Sequence, residues 1–281
     1  MADTAESRAS DCWGRLNEVA DVTPVLAILD GLPEGFREAR QTMLRHLGLE
    51  ATSHVLEAGS GPGTALPDLL HWIGPSGQIV GIDPTRALVV EAAERARTAG
   101  TPNATYDVGD IRQIAWPDNS FDAAFCDKIL VHVAPATRAI AELVRVTRGG
   151  GRVGVVEWYS QGMVLAADYT LTRRVLDGSA PAGALNPVAP LELEHLLADA
   201  GLRRIDAGSV VAESNQYLPS LNMMLQRRAQ QAVELGAISA DAAATWLQEL
   251  ESRGTRGEFY WAAIVRWAVG TKGVSTSTRR P

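Results

Sequence analysis

Val55-Leu56-Glu57-Ala58-Gly59-Ser60-Gly61-Pro62-Gly63-Thr64 is the stretch whose reading decides the fold. Apolar residues lead into an acid, and glycine then stands at every second position before an amphipathic segment begins. That order describes a buried parallel strand ending at Glu57, with a sharp turn into a helix after it. Glycines leave room for a ligand against the backbone, and the first turn of the helix offers unpaired N–H groups above it. The loop is of the kind that holds a nucleotide-type cofactor.

Downstream of it, strands and helices alternate. His54–Ala58 is the first strand, and a helix is expected over Thr64–Ile73. Gln78–Asp83 is the second strand, followed by a helix from Pro84 to Ala99 with proline in its first turn. Ala104–Gly109, Phe121–Cys126 and Arg152–Trp158 follow as strands three to five, with a helix from Pro135 to Arg148 before Gly149-Gly150-Gly151. This rhythm predicts an α/β fold with a parallel sheet covered by helices on both faces. Upstream, two short helices are expected between Asp11 and Asp30, interrupted at Pro24. A third, Glu34–Leu47, carries Phe36, Met43, Leu44 and Leu47 on one face and ends at Gly48. After the fifth strand the rhythm breaks. Residues 159–190 are longer than an ordinary connection and are expected to fold over the site. Leu191–Ala200 is a helix, Arg203–Ala212 the sixth strand, Leu218–Leu235 and Ser239–Arg253 two further helices, and Phe259–Val269 the last strand.

The glycine spacing is Gly59-x-Gly61-x-Gly63, whereas a dinucleotide loop spaces its glycines G-x-G-x-x-G. An acid at Glu57 suits a ligand bearing an ammonium group and repels a pyrophosphate. Three more acids stand at strand ends. Asp83, before Pro84, is placed to accept both hydroxyls of a ribose. Asp110 is placed to accept an adenine amino group while Ile111 covers the ring. Asp127 follows the fourth strand, beside Lys128. All lie on the carboxyl edge of one sheet, where open α/β folds bind ligands.

Taken in order, Val55–Thr64, Gly81-Ile82-Asp83-Pro84, Val108-Gly109-Asp110-Ile111 and Phe121-Asp122-Ala123-Ala124-Phe125 resemble the successive motifs of class I S-adenosylmethionine-dependent methyltransferases. Glu142–Gly151 is similar to the connection into their fifth strand. The nearest flavour is the branch acting on small molecules, quinones and natural products among them. The resemblance implies a Rossmann-like, doubly wound seven-stranded sheet with an antiparallel last strand, plus N-terminal helices and helical lid insertions. It divides the chain into an N-terminal tail and helical cap over residues 1–48, a methyltransferase domain over 49–270 with lid insertions at 159–190 and 217–257, and a tail over 271–281. It also implies S-adenosylmethionine as cofactor, with Glu57, Gly59, Gly61 and Gly63 around the amino-acid part, Asp83 at the ribose, and Asp110 with Ile111 at the adenine. Lys128 is a candidate for the cofactor carboxylate.

Methyl transfer needs a base only where the acceptor must lose a proton. His132, just after the fourth strand, is the candidate, since an imidazole of reference pKa about 6.5 takes a proton at neutral pH. Glu157, ending the fifth strand, is placed to orient it. Metal-dependent relatives carry an Asp-Asn pair after strand five; Glu157-Trp158 stands there instead, so no metal is expected. The Asn-Pro-Pro-aromatic motif of amino-group methylation is replaced by Cys126-Asp127-Lys128-Ile129. Substrate walls are expected from the N-terminal helices and both insertions, with Trp13, Trp158, Tyr159, Tyr169, Tyr217, Met223 and Met224 as candidates. The reading is O- or C-methylation of a medium-sized, mainly apolar metabolite. Its alternatives are a methyltransferase fold used for cyclisation or rearrangement, and a non-catalytic ligand-binding module.

Composition narrows the partners. Across 281 residues the net charge is −7, and no Lys/Arg cluster marks a nucleic-acid surface. No apolar run reaches the roughly 18 residues of a membrane span, and Met1 to Asp11 has no signal-peptide core. Cys12 and Cys126 read as reduced thiols. A cytoplasmic protein binding a small-molecule substrate is expected, without nucleic acid or membrane as partners; the sequence leaves a homodimer open.

Overall fold

One sheet runs through the molecule, and its strand order sets where every acid named above ends up. The structure is a computed structural model that describes residues 22–179 and 185–274. Its strands are β1 (His54–Ala58), β2 (Gln78–Asp83), β3 (Ala104–Val108), β4 (Phe121–Asp127), β5 (Thr147–Trp158), β6 (Val164–Leu165), β7 (Arg203–Ser214) and β8 (Trp261–Thr271). They lie in the order β3-β2-β1-β4-β5-β8, with β7 paired along the far side of β8. β1 to β5 pair in parallel, and β8 runs antiparallel to both β5 and β7. The two-residue β6 lies beside the start of β8, through Leu165 and Trp261. It makes an eighth strand that the sequence reading did not contain, because two residues carry no periodicity.

The helices are α1 (Thr23–Asp30), α2 (Glu34–His46), α3 (Leu66–Leu69), α4 (Arg86–Thr98), α5 (Ala136–Val146), α6 (Tyr169–Ser179), α7 (Leu193–Asp199), α8 (Pro219–Glu234) and α9 (Ala240–Thr255). Three differ from expectation. Pro24 stands in the first turn of α1 instead of interrupting a helix, as its fixed φ and missing N–H allow. The segment before it, with Cys12 and Trp13, lies outside the described residues. α3 has four residues, not the ten of Thr64–Ile73. The chain turns out of it at Leu70 to Ile73, and the N–H of Gly74 bonds to the carbonyl of Ala51 instead of to a helix. The helix-terminal amides expected over the glycine loop are therefore those of a turn. α2 lies against β5, β7 and β8 and belongs to the layer covering the sheet, not to a cap. At the other end of the chain, Ser239 caps α9, its hydroxyl accepting from the Ala242 N–H at 3.2 Å.

Side chains alternate across a strand, so each strand feeds two cores. Val55, Ile79, Ala123, Phe125 and Val156 join α2 and the helices after β7 in one cluster. Leu56, Val80, Ile82, Ala124, Cys126, Val153 and Val155 join α5 and α7 in the other. By the same parity Glu57 and Asp127 face α2, and Glu157 faces the opposite side. Above the carboxyl edge, α8 packs on α1, α6 and α9 and forms a helical cover. Among the described residues no helix is long and apolar enough to cross a membrane.

Candidate active site

The glycine loop is pinned to the end of β2. The N–H groups of Gly59 and Ser60 both donate to the Ile82 carbonyl, at 2.7 and 2.9 Å, and the Gly61 N–H donates to Asp83 Oδ2 at 3.0 Å. Gly59 and Gly61 have φ of 81° and 51°, a region that side chains disfavour. A Cβ on Gly59 would stand 2.3 Å from the Ile129 side chain, so the turn after β4 closes down on this loop. Gly63 differs. Its φ is 75°, but it faces Ala92 and the Tyr106 hydroxyl and lies behind the cavity wall. Its missing side chain allows close packing against Ala92 and Tyr106.

Above the loop opens a cavity of about 430 Å³. Glu57, Gly59, Gly61, Asp83, Pro84, Asp110, Ile111, Asp127 and Lys128 form one part of its wall, with His132 and Trp158 nearby. Glu57 is buried, and its Oε2 has no hydrogen-bond partner. Burial pushes its pKa up to about 8, against the pull of the Arg40 charge. Asp83 is also raised by burial, although it accepts from Gly61 and from the Thr85 N–H at 2.8 Å. Asp110 is half-exposed and bridged by Arg112, whose Nη2 stands 2.7 Å from Oδ2. Burial works to raise Asp110, but the Arg112 side chain and N–H outweigh it and hold the carboxyl low.

Arg40 is the residue the sequence reading missed. It sits in the buried stripe of α2 between Phe36 and Met43, and its guanidinium reaches Asp68 at 2.8 Å and Asp127 at 3.1 Å. A charge inside an apolar helical stripe was the available signal. Lys128, in a left-handed conformation with φ 64°, turns its ammonium back to 2.7 Å from Asp127 Oδ1, an ion contact and not an aligned hydrogen bond. Burial opposes ionisation of Asp127, but the Lys128 and Arg40 cations overcome it and keep the carboxylate charged.

Several expected residues lie elsewhere. Glu157 is fully buried beneath the turn 130–132, where it accepts the Leu130 N–H and leaves Oε2 unpartnered. It shares a face with Val153 and Val155, away from the cavity, so it cannot touch an acceptor there. Burial raises it to about 8. Tyr159, Tyr169, Tyr217 and Met223 do not line the cavity. Tyr169 opens α6 and is 78% exposed. Tyr217 packs on Phe259 and donates to Asn222 Oδ1 at 3.1 Å. Met224 does line it, together with Val25, Ile28 and Leu29 of α1, Leu32 of the connection, Phe36 of α2, and Arg227, Arg228 and Gln231 of α8. Phe36 and Trp158 meet edge-on at 5.5 Å. Among the described residues no group of three His, Cys, Asp or Glu is arranged to hold a metal.

Residues 55–151 match the family described as Methyltransferase domain. The chain is 33% identical over 270 residues to an uncharacterized 37.1 kDa transposon protein of Streptomyces fradiae, covering 91% of this chain and 73% of that one. It is 29% identical over 119 residues to a ubiquinone/menaquinone biosynthesis C-methyltransferase of Bdellovibrio bacteriovorus, covering 42% of this chain and half of that one. Among solved structures, a phosphoethanolamine N-methyltransferase of Haemonchus contortus in complex with S-adenosylhomocysteine superposes with a TM-score of 0.58 at 16% identity, over 93% of this chain and 60% of that one. The chain belongs to the class I S-adenosylmethionine-dependent methyltransferases. The site fits that cofactor: an orphaned, buried carboxyl oxygen on Glu57 matches its ammonium, and the glycine turn leaves the backbone bare beside it.

Proposed function

We propose that this protein transfers the methyl group of S-adenosylmethionine to an oxygen or carbon of a medium-sized, mainly apolar metabolite, without a metal. The supporting observation is the make-up of the cavity beyond the cofactor residues, where Ile28, Leu29, Phe36, Val133, Trp158 and Met224 form an apolar wall. The name of the Bdellovibrio relative, a quinone-biosynthesis C-methyltransferase, supports a small-molecule acceptor of this kind. When bound, the cofactor supplies an electrophilic methyl on a sulfonium, so the protein's task is mainly alignment. Glu57 takes the ammonium, Asp83 the ribose hydroxyls, Asp110 and Ile111 the adenine, and Lys128 the carboxylate. The apolar wall holds the acceptor in line and excludes water, and such alignment contributes on the order of 7–11 kcal/mol in favourable cases. His132, on the cavity wall after β4, takes the proton of a hydroxyl acceptor.

Incubation with methyl-labelled cofactor and a panel of apolar phenols and quinols, read by mass spectrometry, tests this reading. Label in the product is expected; turnover of a panel member without label transfer sinks it. His132→Ala should slow O-methylation by about 100-fold or more while leaving S-adenosylhomocysteine affinity unchanged. A rate within a few-fold of wild type removes His132 as the base.

A further inference from the structure

The wall opposite the cofactor residues is apolar except at one place. On α8, Arg227, Arg228 and Gln231 border the cavity together; Arg228 and Gln231 are one turn apart, as are Arg227 and Gln231. Arg228 is part-buried, and among the described residues its one hydrogen bond is long: Nη1 stands 3.4 Å from the hydroxyl of Ser179. A guanidinium has five N–H donors in a planar fork, shaped for a carboxylate or phosphate. Among the described residues no carboxylate influences it, in contrast to Arg40, which holds two. Burial, reinforced by the neighbouring Arg227 charge, lowers the Arg228 pKa to about 10, which still leaves it cationic at neutral pH. A part-buried cation that has no carboxylate partner among the described residues and faces a cavity is costly to keep unless a ligand completes it.

We propose that the acceptor is an anionic amphiphile whose carboxylate or phosphate seats on Arg228, with Gln231 and Arg227 beside it, while its apolar body lies along Ile28, Leu29 and Phe36. This rests on the cavity being the acceptor site proposed above and narrows the acceptor class from apolar to apolar with an anionic end. An anion fixed at α8 holds the molecule at one end, so its reactive atom is presented toward the cofactor residues at a set distance.

Binding to protein saturated with S-adenosylhomocysteine tests this without turnover, so its outcome is independent of whether methyl transfer is found. Calorimetric titrations would use decanoate and decyl phosphate as probes and 1-decanol as the neutral control. The expected result is anion affinity at least about tenfold above that of decanol. Arg228→Gln should abolish the preference with decanol affinity unchanged, and Arg228→Lys should restore part of it. Equal affinity for decanol and decanoate, absence of anion binding, or a preference that survives Arg228→Gln overturns the proposal. So does a loss of S-adenosylhomocysteine affinity in Arg228→Gln, which would assign the guanidinium to the cofactor's own carboxylate. Should Arg228→Gln fold poorly, Arg228→Lys and Gln231→Leu carry the comparison, and an unchanged preference in both overturns it equally.

Discussion

Glu57 shows how a buried acid waits for a cation. Its carboxyl lies out of water with one oxygen unpartnered, and burial raises its pKa from 4.5 to about 8. Between those two values the folded protein keeps a proton that the unfolded chain releases. Its contribution to stability is therefore fully present below about pH 4.5 and is lost as pH rises through about 8. Ligand binding runs the other way. An ammonium beside Glu57 favours the carboxylate, so the proton must leave as the cofactor enters. Affinity for S-adenosylhomocysteine should therefore rise by up to about tenfold per pH unit below the Glu57 pKa, with close to one proton released on binding. Titrations at pH 7 in buffers of different ionisation enthalpy measure that proton directly. Glu57→Gln should remove the release and weaken binding at pH 8 by roughly 10- to 100-fold; undiminished release in that variant would show that another group carries it. Glu157 has the same shift from the same cause but faces the other core, so its proton belongs to folding and not to the ligand.

At the scale of elements, strand parity decides which acids meet the cavity, and that parity was legible in the sequence. Val55 with Glu57, Phe125 with Asp127, and Val156 with Trp158 fall on the α2 face; Val155 with Glu157 falls on the other. Applied to the fifth strand, the same count would have kept Trp158 as a wall and removed Glu157 from it. The glycine turn and the acids at the ends of β1, β2 and β4 were readable because each sits where a period changes. α3 was not, because Leu66 to Ile73 has helical composition yet the Gly74 amide is drawn back to Ala51, a contact between distant residues. Arg40 joins three elements by holding Asp68 of α3 and Asp127 of β4 from α2. Replacing it leaves two buried carboxylates short of a cation. Arg40→Met should cost about 3 kcal/mol, somewhat relieved by Arg37 on Asp68 and Lys128 on Asp127. Urea unfolding should show a lower midpoint at unchanged slope; a loss below about 0.5 kcal/mol would mean that those two neighbours suffice.

At the scale of the molecule, the cavity is built from two bodies with different holds on the chain. Its cofactor side comes from strand ends fixed in a sheet whose central strands are almost wholly buried. Its acceptor side comes from helices laid over that edge, with α8 packed on α1, α6 and α9. α1 contributes Val25, Ile28 and Leu29 to the cavity wall, yet none of its eight residues is buried. Segments with few buried apolar contacts open at the low end of the stability range. The cover over the acceptor side is thus held weakly where it meets α1, and a ligand beneath it adds the contacts that the helix lacks; Leu29 already stands 3.9 Å from the position of a Cβ on Gly61. In hydrogen exchange, amides of α1 should exchange much faster than those of β1 and β4 in the ligand-free protein. S-adenosylhomocysteine should slow α1 by about tenfold or more, in line with the stabilisation expected from a ligand at many times its Kd, while β4 changes little. Protection of α1 equal to that of β4 before any ligand is added would make the cover a fixed part of the core, and entry to the cavity would then have to lie elsewhere.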